Sequence, residues 1–145
     1  MSPVYWWGAA NTTDNQSLLF INNIATVEVT ARLWAHAHFG SRFIRAGATR
    51  IGATVSGNTN NALNVTAFAN TDGTYAVQVI NNSNDTETVT LEGVEIPREQ
   101  NSVVTWLSNQ AHNLTEGYAA VQNGNKAVAT VPGQSLLSFI VEKCT

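Results

Sequence analysis

The chain has 145 residues, of which 43% are hydrophobic and only 12% charged, with a formal net charge of −3. That length and apolar content suit one ordinary domain able to bury a core. The weak negative balance supplies no basic field to neutralise a phosphate backbone or an anionic lipid surface, so neither nucleic acid nor membrane is expected as a partner.

In chain order, Pro3-Val4-Tyr5-Trp6-Trp7-Gly8 is an aromatic and β-branched run bounded by Pro and Gly, which predicts a buried strand. No charged-then-apolar leader precedes Tyr5, so a secreted protein of this sequence implies a longer precursor. Residues Ala9 to Asn23 are rich in Asn, Thr, Asp and Ser around Leu18-Leu19-Phe20-Ile21, which predicts a loop with one short buried element. From Thr26 to Phe39 the pattern turns helical. Thr26 can cap the N-terminus, Glu28 stands four residues before Arg32, and Gly40 can end the helix. Val27, Ala31, Trp34, Ala35 and His38 form one stripe, with Val29, Leu33 and Ala37 on a second face. A helix apolar on two sides packs between two layers.

After Gly47 the periodicity changes to short strands spaced by turn residues, which signals an antiparallel β-sandwich. The predicted strands are Thr49–Val55, Ala62–Phe68, Tyr75–Asn81, Thr86–Leu91, Val103–Leu107, Ala127–Val131 and Leu136–Val141. The clearest hairpin turns through Asn70-Thr71-Asp72-Gly73, where Gly73 can supply a positive φ. Leu63, Val65, Tyr75, Val77 and Val79 should then line the core face.

Glycoside hydrolysis needs two carboxylates flanking a scissile bond. The ten acidic residues instead sit mainly at turns or solvated strand positions, among them Asp72, Asp85, Glu87, Glu92, Glu95 and Glu99. No catalytic residue is therefore assigned. His36 and His38 would point the same way on a strand and begin a metal site, but on a helix they diverge, and His112 has no evident partner. Cys144 is the single cysteine, so no internal disulfide or thiolate cluster forms; it is a free thiol or pairs outside this sequence. No nucleophile elbow and no phosphate-cradling Gly-rich loop is present, and neither metal nor cofactor is expected.

Trp6 and Trp7 are the candidate sugar-binding residues, because an indole at a strand end can stack on the apolar face of a sugar ring; strand alternation lets only one of them meet a ligand. Trp34 and Trp106 lie inside periodic elements and read as packing residues. Sequons beginning at Asn11, Asn15, Asn64, Asn81, Asn84 and Asn113 would carry glycans in a secreted chain.

The segment Ala31-Arg32-Leu33-Trp34-Ala35-His36-Ala37-His38-Phe39-Gly40-Ser41-Arg42-Phe43-Ile44-Arg45-Ala46-Gly47, followed by Ala48-Thr49-Arg50-Ile51, resembles the join between the last barrel helix and the sandwich of glycoside hydrolase family 30. In that family the segment typically reads Phe-Ser-Arg-Phe-Ile-Arg-Pro-Gly before a β-strand. The stretches Leu63–Asn70, Asp72-Gly73-Thr74-Tyr75, Val79-Ile80-Asn81-Asn82 and Pro132-Gly133-Gln134-Ser135-Leu136 are similar to its sandwich. The likeness covers nearly the whole chain and is nearest to the fungal endo-β-1,6-galactanase branch. Ala46 departs from the family's Pro, which removes a rigid φ at the junction but leaves Gly47.

The resemblance implies a mainly β fold: an antiparallel β-sandwich over residues 45–145, preceded over residues 1–44 by one strand and one helix left from a (β/α)8 barrel. Pro3–Gly8 would be the eighth strand and Thr26–Phe39 the eighth helix. It further implies a secreted, extracellular parent that hydrolyses a β-linked polysaccharide or oligosaccharide with retention, through two glutamates that would both precede Met1. This chain by itself would then be inactive, and Trp6 or Trp7 would line the parent's sugar site. The alternative is a freestanding carbohydrate-binding or adhesion sandwich, which needs exposed aromatics such as Tyr75, Trp106 or Tyr118.

Overall fold

The computed structural model describes residues 8–11, 17–22, 26–57, 61–97, 100–122 and 126–142. The expected strand Pro3–Gly8, apart from Gly8, and Cys144 lie outside the described residues. The first elements are short. β1 (Ala9–Ala10) runs parallel to β2 (Leu19–Asn22), and β2 pairs antiparallel with β3 (Thr26–Val29), placing Phe20 opposite Glu28.

The helix expected over Thr26–Phe39 is shorter: α1 spans only Ala31–Ala37. Its first four expected residues form β3 because the β-branched Thr-Val-Glu-Val run has a pairing partner in β2, and tertiary pairing overrides a helical stripe. Thr26 is therefore no cap, and Glu28 and Arg32 do not share a helical turn. Thr30 occupies the N-cap position without a side-chain cap; its Oγ1 donates instead to the carbonyls of Ser17 and Leu18, at 3.0 and 2.9 Å.

The rest is one eight-stranded antiparallel sheet, curled so that its two ends share a core. The strands are β4 (Thr49–Ile51), β5 (Leu63–Ala69), β6 (Tyr75–Asn81), β7 (Glu87–Leu91), β8 (Ser102–Ser108), β9 (Thr115–Gln122), β10 (Lys126–Val131) and β11 (Ser135–Val141). Their spatial order is β4-β5-β6-β11-β8-β9-β10-β7, so the last strand enters the middle, between β6 and β8. This is the mainly β sandwich architecture expected.

Alternation sets the faces. On β11, Leu137, Phe139 and Val141 point inward and meet Val79, Val77 and Tyr75 of β6 across the ladder. Leu63 and Val65 pack against the same cluster, as expected, together with Val103, Ala119, Ala127 and Val131 from the far strands. Gly73 closes the β5–β6 hairpin with φ of 87°. β9 is the one strand of the large sheet without a sequence expectation: its inward residues Gly117, Ala119 and Val121 are small, and a Cβ at Gly117 would sit 3.2 Å from the Thr105 hydroxyl. Strand propensity scales miss such a segment.

Candidate functional site

The same alternation turns Gln78, Trp106, Ser108 and Ser138 to the outer face, and the segment following α1 lies on them. His38 is the central contact. Its Nδ1 is 2.7 Å from Ser138 Oγ and its Nε2 is 2.9 Å from Ser108 Oγ, so one imidazole bridges β11 and β8. Its carbonyl accepts from the Gln78 amide, and its ring stacks on Phe43 at 5.8 Å between centroids. Burial alone pushes the His38 pKa from 6.5 down to about 4, so the ring is neutral near pH 7, with one nitrogen donating and the other accepting.

Asn70 fixes the next stretch. Its amide donates to the Phe43 carbonyl and to Thr74 Oγ1, while its Oδ1 accepts from the Arg45 N–H. An exposed Arg45–Asp72 ion pair of 3.2 Å closes the same corner. Two hydrogen bonds from Thr74, with Arg45 adding less, hold the Asp72 carboxyl below its usual pKa. Arg42 lies 3.9 Å over the Trp106 ring, so this indole is a packing residue with a cation on its face.

What this arrangement can do chemically is limited. Ser138 beside His38 has the spacing of a nucleophile and its base, but both are 0% exposed and no substrate reaches them. The described acidic residues are all exposed or half-buried, and none is placed in an apolar pocket that would make it a general acid. Among the described residues no group of three His, Cys, Asp or Glu side chains is placed to hold a metal. His36 remains in α1 and His38 falls just past its end.

Of the residues singled out from sequence, Trp6, Trp7 and Asn15 lie outside the described residues. Asn11, Asn64, Asn84 and Asn113 are exposed. Asn81 is a correction: it is 1% exposed, and its amide donates to the carbonyls of Asp85 and Val131, so a glycan there would break both bonds. Tyr75 packs inward, whereas Tyr118 is 66% exposed with its hydroxyl donating to Glu116. That hydrogen bond, with the Glu116 charge, raises the Tyr118 pKa.

Two recesses flank α1. One is a cleft of about 240 Å³ between Trp34 and the turns carrying Asn82, Asn109, His112, Asn113 and Gln134. The other is a wider, mainly apolar groove of about 900 Å³ that includes Phe39, Ile44, Ala48 and Phe68. Sequence reasoning placed Trp34 in the packing but had no signal for the cleft, because its walls come from four separate stretches of the chain and contain no motif.

Comparison with known proteins adds the family. The model of the glycosyl hydrolase family 30 beta sandwich domain matches residues 47–139. The chain is 31% identical over 115 residues to glucuronoxylanase XynC of Bacillus subtilis (strain 168), covering 79% of this chain and 26% of the relative. It superposes on the catalytic domain of a family 30 xylanase C from Talaromyces cellulolyticus with a TM-score of 0.77 and 31% identity, over 94% of this chain and 29% of that one. An endo-beta1,6-glucanase gives a TM-score of 0.58 and 27% identity, over 89% of this chain and 22% of its own. The chain thus spans roughly a quarter of the length of the relatives it matches.

Proposed function

The chain belongs to glycoside hydrolase family 30 through its β-sandwich, and on that premise we propose that it is the C-terminal, non-catalytic part of a secreted retaining β-glycanase. The observation that carries this reading is the lack, among the described residues, of any buried carboxylate fit for acid catalysis, in a chain that covers 26% and 29% of two xylan-degrading relatives. Residues 1–44 are then what is left of the barrel and residues 45–145 the sandwich, joined by the His38 and Asn70 contacts.

Exposed apolar side chains support a larger partner on the barrel side. Val27, Val29 and Ile21 are 62%, 42% and 40% exposed on the small sheet, and an apolar groove runs along α1. In the intact enzyme Trp6 or Trp7 would border the sugar site, and glycans would sit on Asn11, Asn64 and Asn84. As substrate, the sequence resemblance favours β-1,6-galactan, whereas two relatives are named for xylan and one for a β-1,6-glucan.

The coding sequence upstream of Met1 tests the proposal. Barrel strands with a glutamate closing the fourth and the seventh, and a leader peptide before them, are the expected result. An in-frame stop with no barrel would overturn it and favour a freestanding module. Expressing the longer product and comparing release from β-1,6-galactan and xylan then decides the glycan.

A further inference from the structure

We propose that the cleft between α1 and the turns at 81–85, 109–113 and 132–135 binds one neutral sugar unit of a β-linked glycan. The choice of a glycan as probe rests on the proposed function; the neutral, polyhydroxylated character of the ligand follows from the cleft itself. None of its lining residues is an acid, a lysine or an arginine, so it offers no charge partner to a phosphate or a carboxylate and no cluster of ligands to a metal ion. At about 240 Å³ it falls below the roughly 300–1,000 Å³ of drug-sized ligand pockets and matches the scale of a single ring.

Its polar lining is held in place. Asn109 Oδ1 accepts three N–H groups, from Ala111 N, His112 N and His112 Nδ1, each at 2.9 Å. Because that oxygen can only accept, His112 Nδ1 carries a proton, which leaves Nε2 as the ring's other polar atom at the cleft that His112 lines. Gln134 Nε2 donates to the carbonyls of Asn82 and Ser83, which orients its Oε1 as an acceptor. Asn82 and Asn113 are exposed, and their side chains add further donors and acceptors. Trp34 contributes an indole beside this polar set, the combination that recognises a sugar ring: an apolar face plus amides and a fixed acceptor for its hydroxyls. The groove on the other side of α1 has no indole in its lining and includes Arg32 and Arg45.

The test uses the 145-residue chain made without glycosylation, since Asn113 heads a sequon, and isotope-labelled for NMR. It is titrated with xylo-oligosaccharides and with β-1,6-galacto-oligosaccharides. Saturable shifts at the Trp34 indole and at residues 109–113 are expected with at least one of them. His112→Ala or Asn113→Ala should weaken binding about tenfold, the effect of losing one good hydrogen bond. Asn113 is exposed, so its variant reports even if His112→Ala loosens the turn. Saturable binding that neither variant weakens would move the site elsewhere on the chain. Absence of saturable shifts with both sugars would overturn the cleft as a sugar site. Either failure leaves the proposed function standing, because that reading is decided by the upstream sequence.

Discussion

The two faces of the large sheet are buried by opposite chemistry. Toward the interior it packs Val77, Val79, Val103, Leu137, Phe139 and Val141, with Thr105 buried opposite Phe139 as a polar exception. Toward α1 it buries His38, Gln78, Ser108 and Ser138 around Phe43, with the polar groups tied to one another except Gln78 Oε1, which has no hydrogen-bond partner. An apolar face is stabilised by area removed from water and tolerates exchange of one aliphatic residue for another. The polar face gains little net energy per bond, yet each unmade bond costs more, so it specifies one docking geometry for the segment after α1.

Truncating the apolar face should have the largest effect. Phe139→Ala removes a fully buried ring and should lower unfolding stability by about 3–5 kcal/mol in a urea titration. A loss under about 1 kcal/mol would mean that the two halves of the curled sheet do not share a core.

Acid should act on the other face. The folded-state pKa of His38 is about 4 and the unfolded value 6.5, so between these the unfolded chain binds a proton that the folded chain refuses. Stability is fully present above about pH 6.5 and falls as the pH drops toward 4, by about 3 kcal/mol at 1.36 kcal/mol per pH unit. Asp72, whose pKa is lowered, loses its contribution only in more acidic solution than that window covers. His38→Gln should flatten the slope between pH 6.5 and 4; an unchanged slope would show that other groups titrate there.

Two smaller changes sharpen the contrast. Asn70→Ala strips partners from the Phe43 carbonyl and the Arg45 amide and should cost about 2 kcal/mol by chemical denaturation. Lys126→Ala removes an exposed ion pair to Glu92 and should cost under about 1 kcal/mol, falling further in high salt.

The same contrast explains what was legible in the sequence. Period-two alternation in Leu63–Phe68 and Tyr75–Asn81 exposed the inner face directly, because one strand alone carries that signal. The outer face depends on pairs such as His38 with Ser138, 100 residues apart, and no local pattern encodes them. The predicted helix overruns α1 because Val27 and Val29 suit an apolar helical stripe and a β-strand equally well, and only pairing with β2 decides between them. β9 was missed for want of large inward side chains, and the cleft beside Trp34 because three separate turns assemble it. The family was legible from the junction segment, while the glycan was not, since no motif among the described residues distinguishes one sugar polymer from another.

The most direct test of the claim that catalysis lies outside these residues is hydrolysis by the purified 145-residue chain. β-1,6-Galactan and xylan are each incubated with it, a full-length barrel glycanase serves as positive control, and reducing ends are counted. The account predicts no release above buffer from either polymer. Turnover that disappears when one of the chain's own carboxylates, such as Glu87 or Glu116, is changed to the amide would contradict it.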